Sequence, residues 1–126
     1  MGQINKSQFI SWLQESIERG AIEVGADDSP VHLVRGGLFL ITPTTFKLFD
    51  ADEWFRAQHE FISLELHERC SIGQGNFQSR HIRGRSNGLL TVSSHKVGII
   101  IPFHNIERLL PQFSTHLVDQ EVLQWG

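Results

Sequence analysis

The side chains with the clearest chemical implication are positively charged and lie in one segment, residues 69–98. This segment contains five Lys or Arg residues and no Asp or Glu, a charge of +5, whereas residues 1–68 contribute −6 and residues 99–126 contribute −2. Because guanidinium and ammonium groups neutralise phosphates, the segment predicts a nucleic-acid-binding face. The candidate phosphate-binding residues are Arg69, Arg80, Arg83, Arg85 and Lys96.

Two alternatives to a nucleic-acid-binding face stay open. A solvated hairpin can carry arginines without a partner, and the eleven acids of residues 1–68 can pair with the same arginines inside the molecule. His81 and His95 add charge to the segment as the pH falls below neutrality. Phe77 has a ring that stacks on a base, although an aromatic residue in a strand more often belongs to the core.

The remaining residues with chemical potential do not predict catalysis. The seven histidines do not show three converging ligands, and His59 and His67 are too far apart on one predicted helix to share an ion. His32 lies inside an apolar run, which favours a hydrogen bond in the core or hairpin. The single cysteine, Cys70, excludes an intramolecular disulfide. We therefore expect no metal, no cofactor and no enzymatic activity in this chain.

The elements that must position these residues follow from the spacing of apolar side chains. Apolar residues recur every three or four positions where we predict helices, and they alternate or run together where we predict strands. The predicted helices cover 7–19, 44–49 and 54–66, with a short turn of helix over 105–110, and the predicted strands cover 21–24, 31–34, 38–41, 77–83, 89–92 and 98–102.

Turn and cap residues set the boundaries between these elements. Gly36 and Gly37 allow the positive φ of a tight hairpin between the second and third strands. Thr42-Pro43 is typical of a helix start, with a hydroxyl cap and a proline in the first turn. Asp50, followed by an acid three residues later, resembles a capping box and predicts the start of the third helix at Trp54.

The strand over 77–83 has a period of two, which places Phe77, Ser79 and His81 on one side and Gln78, Arg80 and Ile82 on the other. The turn signal GRSNG over 84–88 predicts that the strand over 89–92 returns beside it. Two adjacent helices followed by this hairpin predict a helix-turn-helix core with a β-wing. The predicted fold class is thus α+β, a single winged-helix domain over residues 1–126 with a poorly defined tail at 112–126.

The composition agrees with one packed domain. The chain has 126 residues, of which 40% are hydrophobic, so it has the apolar material for one core and is too short for two full-sized ones. No apolar run approaches the roughly 20 residues of a membrane-spanning helix, and the N-terminus lacks the build of a signal peptide. These features predict a soluble cytoplasmic protein without a membrane partner.

Two stretches resemble the C-terminal domain of TraI-type conjugal-transfer relaxase/helicase proteins. They are VHLVRGGLFLITPTTFKLF at 31–49 and the spacing W-x3-Q-x2-F-x2-L-x2-H from Trp54 to His67. The resemblance covers roughly residues 8 to 105 and continues weakly as Asn76-x-Gln. It implies a winged-helix domain excised from a larger bacterial relaxase that transfers single-stranded DNA, without the relaxase or helicase chemistry itself.

The first function class that follows is an accessory DNA-binding module. It would bind DNA weakly and non-specifically, through phosphate contacts of the basic segment, while another domain does the chemistry. The predicted third helix carries acids where a recognition helix needs cations, which argues against sequence reading in the major groove. Those acids are Glu53, Glu60, Glu65 and Glu68, against the single cation Arg56.

The second class is a protein-docking module. Here the acidic helix and exposed apolar residues such as Trp125 would bind a relaxosome or coupling protein, or would pair two copies of the chain as a homodimer.

Overall fold

A computed structural model describes residues 2–69, 75–82, 85–86, 89–90 and 94–109. Within them the chain forms helices and antiparallel strands, an α+β architecture. The helices are α1 (Gly2–Glu18), α2 (Thr44–Phe49), α3 (Trp54–Ser63) and α4 (Phe103–Leu109), and the strands are β1 (Val31–Val34), β2 (Gly37–Ile41), β3 (Gln78–Ile82), β4 (Arg85–Ser86), β5 (Leu89–Leu90) and β6 (Ser94–Pro102).

The main sheet has four strands in the order β1-β2-β6-β3, and β4 pairs with β5 in a separate two-stranded ribbon. The long strand β6 holds the sheet together because its two halves have different partners. Its second half pairs with β2, with Leu38 opposite Ile101, and its first half pairs with β3, with Arg80 opposite Lys96. Gly98 lies where the two halves meet and has a partner on both sides, Ile41 and Gln78.

The core lies between one face of this sheet and the helices. Leu33, Leu38 and Leu40 from the first hairpin and Ile99 and Ile101 from β6 are almost fully buried there. The helices contribute a group of aromatic rings that surround Phe9 of α1. The ring of Phe9 stacks on Phe46 with centroids 4.6 Å apart and meets Phe49 and Phe61 edge-on at 5.5 Å.

A smaller apolar cluster covers part of the opposite face of the sheet. Val34, Phe39, Ile82 and Ile100 are buried in it, with Ile41 packed against them. Ile82 comes from the end of β3, so the hairpin of β3 and β6 contributes its own apolar contact to the body of the domain.

The structure confirms the first hairpin, the second helix and the start of the third helix at Trp54. Gly36 has the positive φ, 105°, that its turn was predicted to need. Asp50 accepts hydrogen bonds from the backbone N–H groups of Asp52 and Glu53 in the turn before the helix, but Glu53 is the N-cap of α3 and has no side-chain cap hydrogen bond, so the predicted capping box is not formed. The predicted cap of the second helix is wrong: the Thr42 hydroxyl instead donates to Gln58 of α3.

The third helix ends at Ser63, three residues before the predicted end at Leu66. The backbone N–H of Leu64 and that of Glu65 donate to carbonyls three residues earlier, which tightens the last turn. Glu65 then adopts a positive φ of 55°, a left-handed conformation that a continuing helix does not permit. Glu65, Glu68 and His67 therefore do not lie on α3, contrary to the sequence prediction.

The predicted strand over 21–24 is wrong. Ile22 and Val24 are both buried, and residues 21–24 form bends and a turn without a partner strand. The N–H of Ile22 donates to the carbonyl of Ser16, so the segment folds back onto the end of α1.

The pairing within the basic segment also differs from the prediction. The strand at 78–82 pairs with β6, whereas the return strand at 89–90 pairs only with 85–86. The turn signal at 84–88 thus belongs to a small ribbon inserted between β3 and β6, and residues 83–84 and 87–88 of it lie outside the described part of the chain. Because β3 is an edge strand of the four-stranded sheet, a separate wing is not confirmed.

The last helix begins at Phe103, two residues before its predicted start, and Asn105 is not its cap. No helix in the described ranges has the length and apolar character that crossing a bilayer requires.

Candidate nucleic-acid interface

Two of the predicted phosphate-binding residues lie directly opposite each other on the hairpin of β3 and β6. Arg80 is the register partner of Lys96, and the next position pairs His81 with His95. Like charges at directly opposed positions of an antiparallel ladder destabilise it. No acid in the described part of the chain lies within ion-pair distance of either cation.

The hairpin has two different faces. Along residues 77–82 the side chains at odd positions are exposed, while those at even positions are partly or fully buried, which confirms the predicted period of two. We call the side with Arg80 and Lys96 the basic face. We call the opposite side, with Phe77, His81, His95 and Val97, the ring face.

The expectation that Phe77 belongs to the core is wrong. Its side chain is 40% exposed, and its diagonal neighbour across the ladder, Val97, is 42% exposed. The hydrophobic core ends at Ile99, so the ring face extends past the helices that would cover it. The imidazoles of His81 and His95 contact each other on this face, with ring centroids 5.4 Å apart.

The basic face borders a polar cleft of about 140 Å³. One wall comes from the hairpin and includes Lys96, and the other comes from β1 and the turn before it and includes Asp27 and His32. The cleft lies between opposite charges, because Asp27 and Asp28 face the side of the molecule that carries Lys96. The remaining residues that line it are Ser29, Pro30, Ile41, Thr44, Ile82 and Ser94.

His32 forms the predicted hydrogen bond in the core. The ring is 2% exposed, and its Nε2–H donates to the carbonyl of Ser29 at 2.8 Å, while Nδ1 has no partner among the described residues. Burial is the largest influence and lowers the pKa of His32, and the charge of Lys96 lowers it further. The hydrogen bond to Ser29 and the charge of Asp27 act in the opposite direction without reversing the shift.

This lowered pKa predicts a pH-dependent stability. The unfolded chain binds a proton at His32 near the ordinary value of 6.5, and the folded chain resists it, so stability is lost as the pH falls below that value. Urea unfolding at about pH 7.5 and 5.5 should show a larger fall for the wild type than for His32→Gln, which keeps an N–H donor and does not titrate. Equal falls in the two proteins would contradict this role of His32.

The remaining predicted phosphate-binding residues have different positions. Arg69 lies just after α3, half-exposed, and forms an ion pair with Glu65 at 3.5 Å, so for this arginine the structure shows an intramolecular partner. Arg85 belongs to β4, where only the backbone is described, and Arg83 lies outside the described residues. Cys70 and Trp125 lie outside them as well.

A polar junction joins the hairpin to the segment that follows α3. Nε2 of His67 bonds to Oδ1 of Asn76 at 2.8 Å, and the backbone N–H of Glu68 donates to the carbonyl of Ile100 at 2.7 Å. The side-chain amide of Gln78 donates to both the carbonyl and the carboxylate of Glu68. Side-chain hydrogen bonds of this kind limit rigid-body movement, so the junction holds β3 in place.

The same junction explains part of the family resemblance. His67, Asn76 and Gln78 are among the residues that carry the resemblance, and each one holds the hairpin. Phe61, from the same spacing pattern, is buried in the core, and Gln58 accepts the hydroxyl of Thr42. These residues therefore stabilise the fold of the domain.

Within the described residues no group of three or more His, Cys, Asp or Glu side chains converges as a metal site would require.

A second cleft, of about 160 Å³, lies between α1 and the start of α3. It is lined by three acids, Asp50, Glu53 and Glu60, and by one cation, Arg56, which is bound to Glu53 at 3.3 Å. The negative charge of this cleft makes the helical side of the domain unfavourable for phosphate.

The fold and its junction thus define a small α+β domain that presents a basic hairpin beside an acidic helical side. Residues 5–97 match the family described as "Putative conjugal transfer nickase/helicase TraI C-term". Because the match extends over well more than half of the chain, the chain belongs to this family, and the resemblance found in the sequence is confirmed.

A solved structure supports the fold. The crystal structure of the C-terminal domain of the Salmonella enterica protein STY4665 is similar to this chain, with a TM-score of 0.66 and 23% sequence identity. The similarity covers 84% of this chain and 87% of that one. No curated protein sequence gives a significant match.

Proposed function

We propose that this domain is a non-catalytic accessory module of a conjugal-transfer nickase/helicase and that it binds the phosphate backbone of DNA through its basic hairpin. The family to which the chain belongs is named for enzymes that act on DNA strands. In this role the domain holds DNA while catalysis takes place elsewhere in the larger protein.

The observation that carries the proposal is the direct opposition of Arg80 and Lys96 across the β3–β6 ladder. Two opposed cations repel each other, and a phosphate placed between them removes that repulsion and gains two charge-assisted contacts. Arg83, Arg85 and Arg69 belong to the same acid-free segment and are the further phosphate-binding residues that we propose.

The acidic helical side supports the same orientation. Asp50, Glu53 and Glu60 repel a phosphate backbone, so the field of the molecule directs DNA toward the hairpin. A phosphate-only contact carries little sequence information, which predicts weak binding that is nearly independent of sequence.

The proposal is tested by removing the opposed pair. Arg80→Ala with Lys96→Ala should lower DNA affinity for all sequences. The slope of log K against log salt should fall by about 1.4 for a single strand and about 1.8 for duplex, because two phosphate contacts are lost. The control is Arg19→Ala with Arg56→Ala, which removes the same charge from exposed positions outside the hairpin. Equal losses for the two double variants would contradict a hairpin site, since they would reduce the effect to net charge.

One observation favours protein docking as a second candidate function. Phe55 of α3 is 55% exposed and lies on the helix that also lines the acidic cleft. Such a surface suits a partner with basic side chains, for example a relaxosome or coupling protein. Here Glu60→Lys should weaken partner binding without weakening DNA binding, the reverse of the pattern expected from the hairpin variant.

A further inference from the structure

The ring face of the hairpin has no role in phosphate binding, because it points away from Arg80 and Lys96. It presents the phenyl ring of Phe77 and the paired imidazoles of His81 and His95 to solvent. Exposed rings on a sheet lack the apolar and stacking contacts that burial would give them. A surface of this composition therefore suits a ligand with flat aromatic faces.

We propose that the ring face stacks on the bases of single-stranded DNA, which makes the domain selective for single strands over duplex. This inference rests on the proposed function, since it adds a base contact to a hairpin that binds phosphate. Phe and His side chains are among those on which unpaired bases stack. Stacking tolerates any base, so it keeps the binding independent of sequence.

The dimensions and charge of the hairpin fit a single strand. Residues 77 and 81 are about 13 Å apart at roughly 3.4 Å per residue of strand, so the ring face is long enough to contact more than one base. The segment that contains both faces has no acid, and Asp27 and Asp28 lie across the cleft beside Lys96, on the side of the basic face. Because β3 is an edge strand, a flexible strand reaches both faces around one edge, whereas a rigid duplex reaches only one.

Duplex DNA hides the faces of its bases inside the stack. The ring face therefore gains nothing from duplex, and duplex binding depends on the basic face alone. The same holds for an abasic strand, which keeps every phosphate but offers no base to stack on.

The experiment compares the affinity of the domain for two single-stranded probes of about 16 nucleotides, oligothymidylate and an abasic strand of equal length. The wild type should bind oligothymidylate about 5-fold or more tightly than the abasic strand, since one stacked base contributes at least that factor. Phe77→Ala, and separately His81→Ala with His95→Ala, should reduce or abolish this preference without changing the salt slope. Phe55→Ala, which removes an exposed ring from α3, should leave the preference intact.

Failure of the inference and failure of the proposed function give different results. Equal affinity for the two strands, both lost in Arg80→Ala with Lys96→Ala, would overturn base stacking and leave phosphate binding standing. Absence of binding to every DNA probe would overturn both proposals together.

Discussion

Replacing Phe9 with alanine is expected to lower the free energy of unfolding by about 3–5 kcal/mol, the usual cost of removing a buried phenyl ring. The ring is 2% exposed and contacts Phe46, Phe49 and Phe61, so it joins α1 to the α2–α3 pair. Because small domains have only about 5–15 kcal/mol of total stability, the variant should be close to unfolding. Urea denaturation followed by circular dichroism measures this change.

The matched control is Phe55→Ala, the same substitution on α3 at a ring that is 55% exposed. Its cost should stay within about 0.5 kcal/mol, the range of surface substitutions. A loss for Phe9→Ala no larger than that of the control would show that α1 does not pack on the other helices.

The second large effect is expected at Gly98, where β6 passes from one partner strand to the other. A Cβ at this position would lie 2.3 Å from the carbonyl oxygen of Leu40 and 2.9 Å from the ring of Phe39. The oxygen belongs to the neighbouring backbone and has no room to rotate away, so β6 must separate from β2. Gly98→Ala should therefore cost about 3 kcal/mol, at the upper end of overpacking.

Gly20→Ala distinguishes steric conflict from backbone strain. Gly20 has a φ of +82°, and a Cβ there would have no atom within 4 Å, so its cost should be about 1 kcal/mol, from conformation alone. Thermal unfolding of both variants measures the difference. A Gly98 variant as stable as the Gly20 variant would contradict the predicted steric conflict.

The elements predicted correctly from the sequence are those whose signals are local. The hairpin at 31–41 has apolar runs on both sides of glycines, and Asp50 lies at the start of the turn that leads into α3. The predicted strand over 21–24 is wrong because burial of Ile22 and Val24 resembles a strand pattern although residues 21–24 pair with no strand. Alternation reports which side chains are buried, and it does not report pairing.

For the candidate site, too, local features could be predicted and contacts between separate segments could not. Charge alone selected Arg80 and Lys96, but their opposition depends on a pairing that the strong local signal at 84–88 obscured. The partner of Arg69 was not predicted either: Glu65 lies four residues earlier, the spacing of a helical ion pair, but the pair forms after α3 has ended. The exposure of Phe77 could be predicted in part, because the period of two placed its side chain on the same side of the strand as His81. How far the core extends along the sheet could not be predicted.

Two features of the fold hold the proposed DNA-binding hairpin in place. The junction of His67 and Asn76 holds the hairpin against the body of the domain, and Gly98 lets β6 approach β2 closely. The backbone that carries Arg80 and Lys96 is thereby held in place, so phosphate binding would cost mainly the conformational entropy of the two side chains. The acidic cleft on the helical side opposes binding there.

The most direct test of the central claim is the salt dependence of DNA binding by the wild-type domain, measured by fluorescence anisotropy with labelled single-stranded and duplex oligonucleotides. If all five proposed residues contact phosphate, affinity should fall by about 100-fold for the single strand and 500-fold for duplex between about 50 and 200 mM salt. A domain that binds neither form at about 50 mM salt would contradict the claim and favour protein docking.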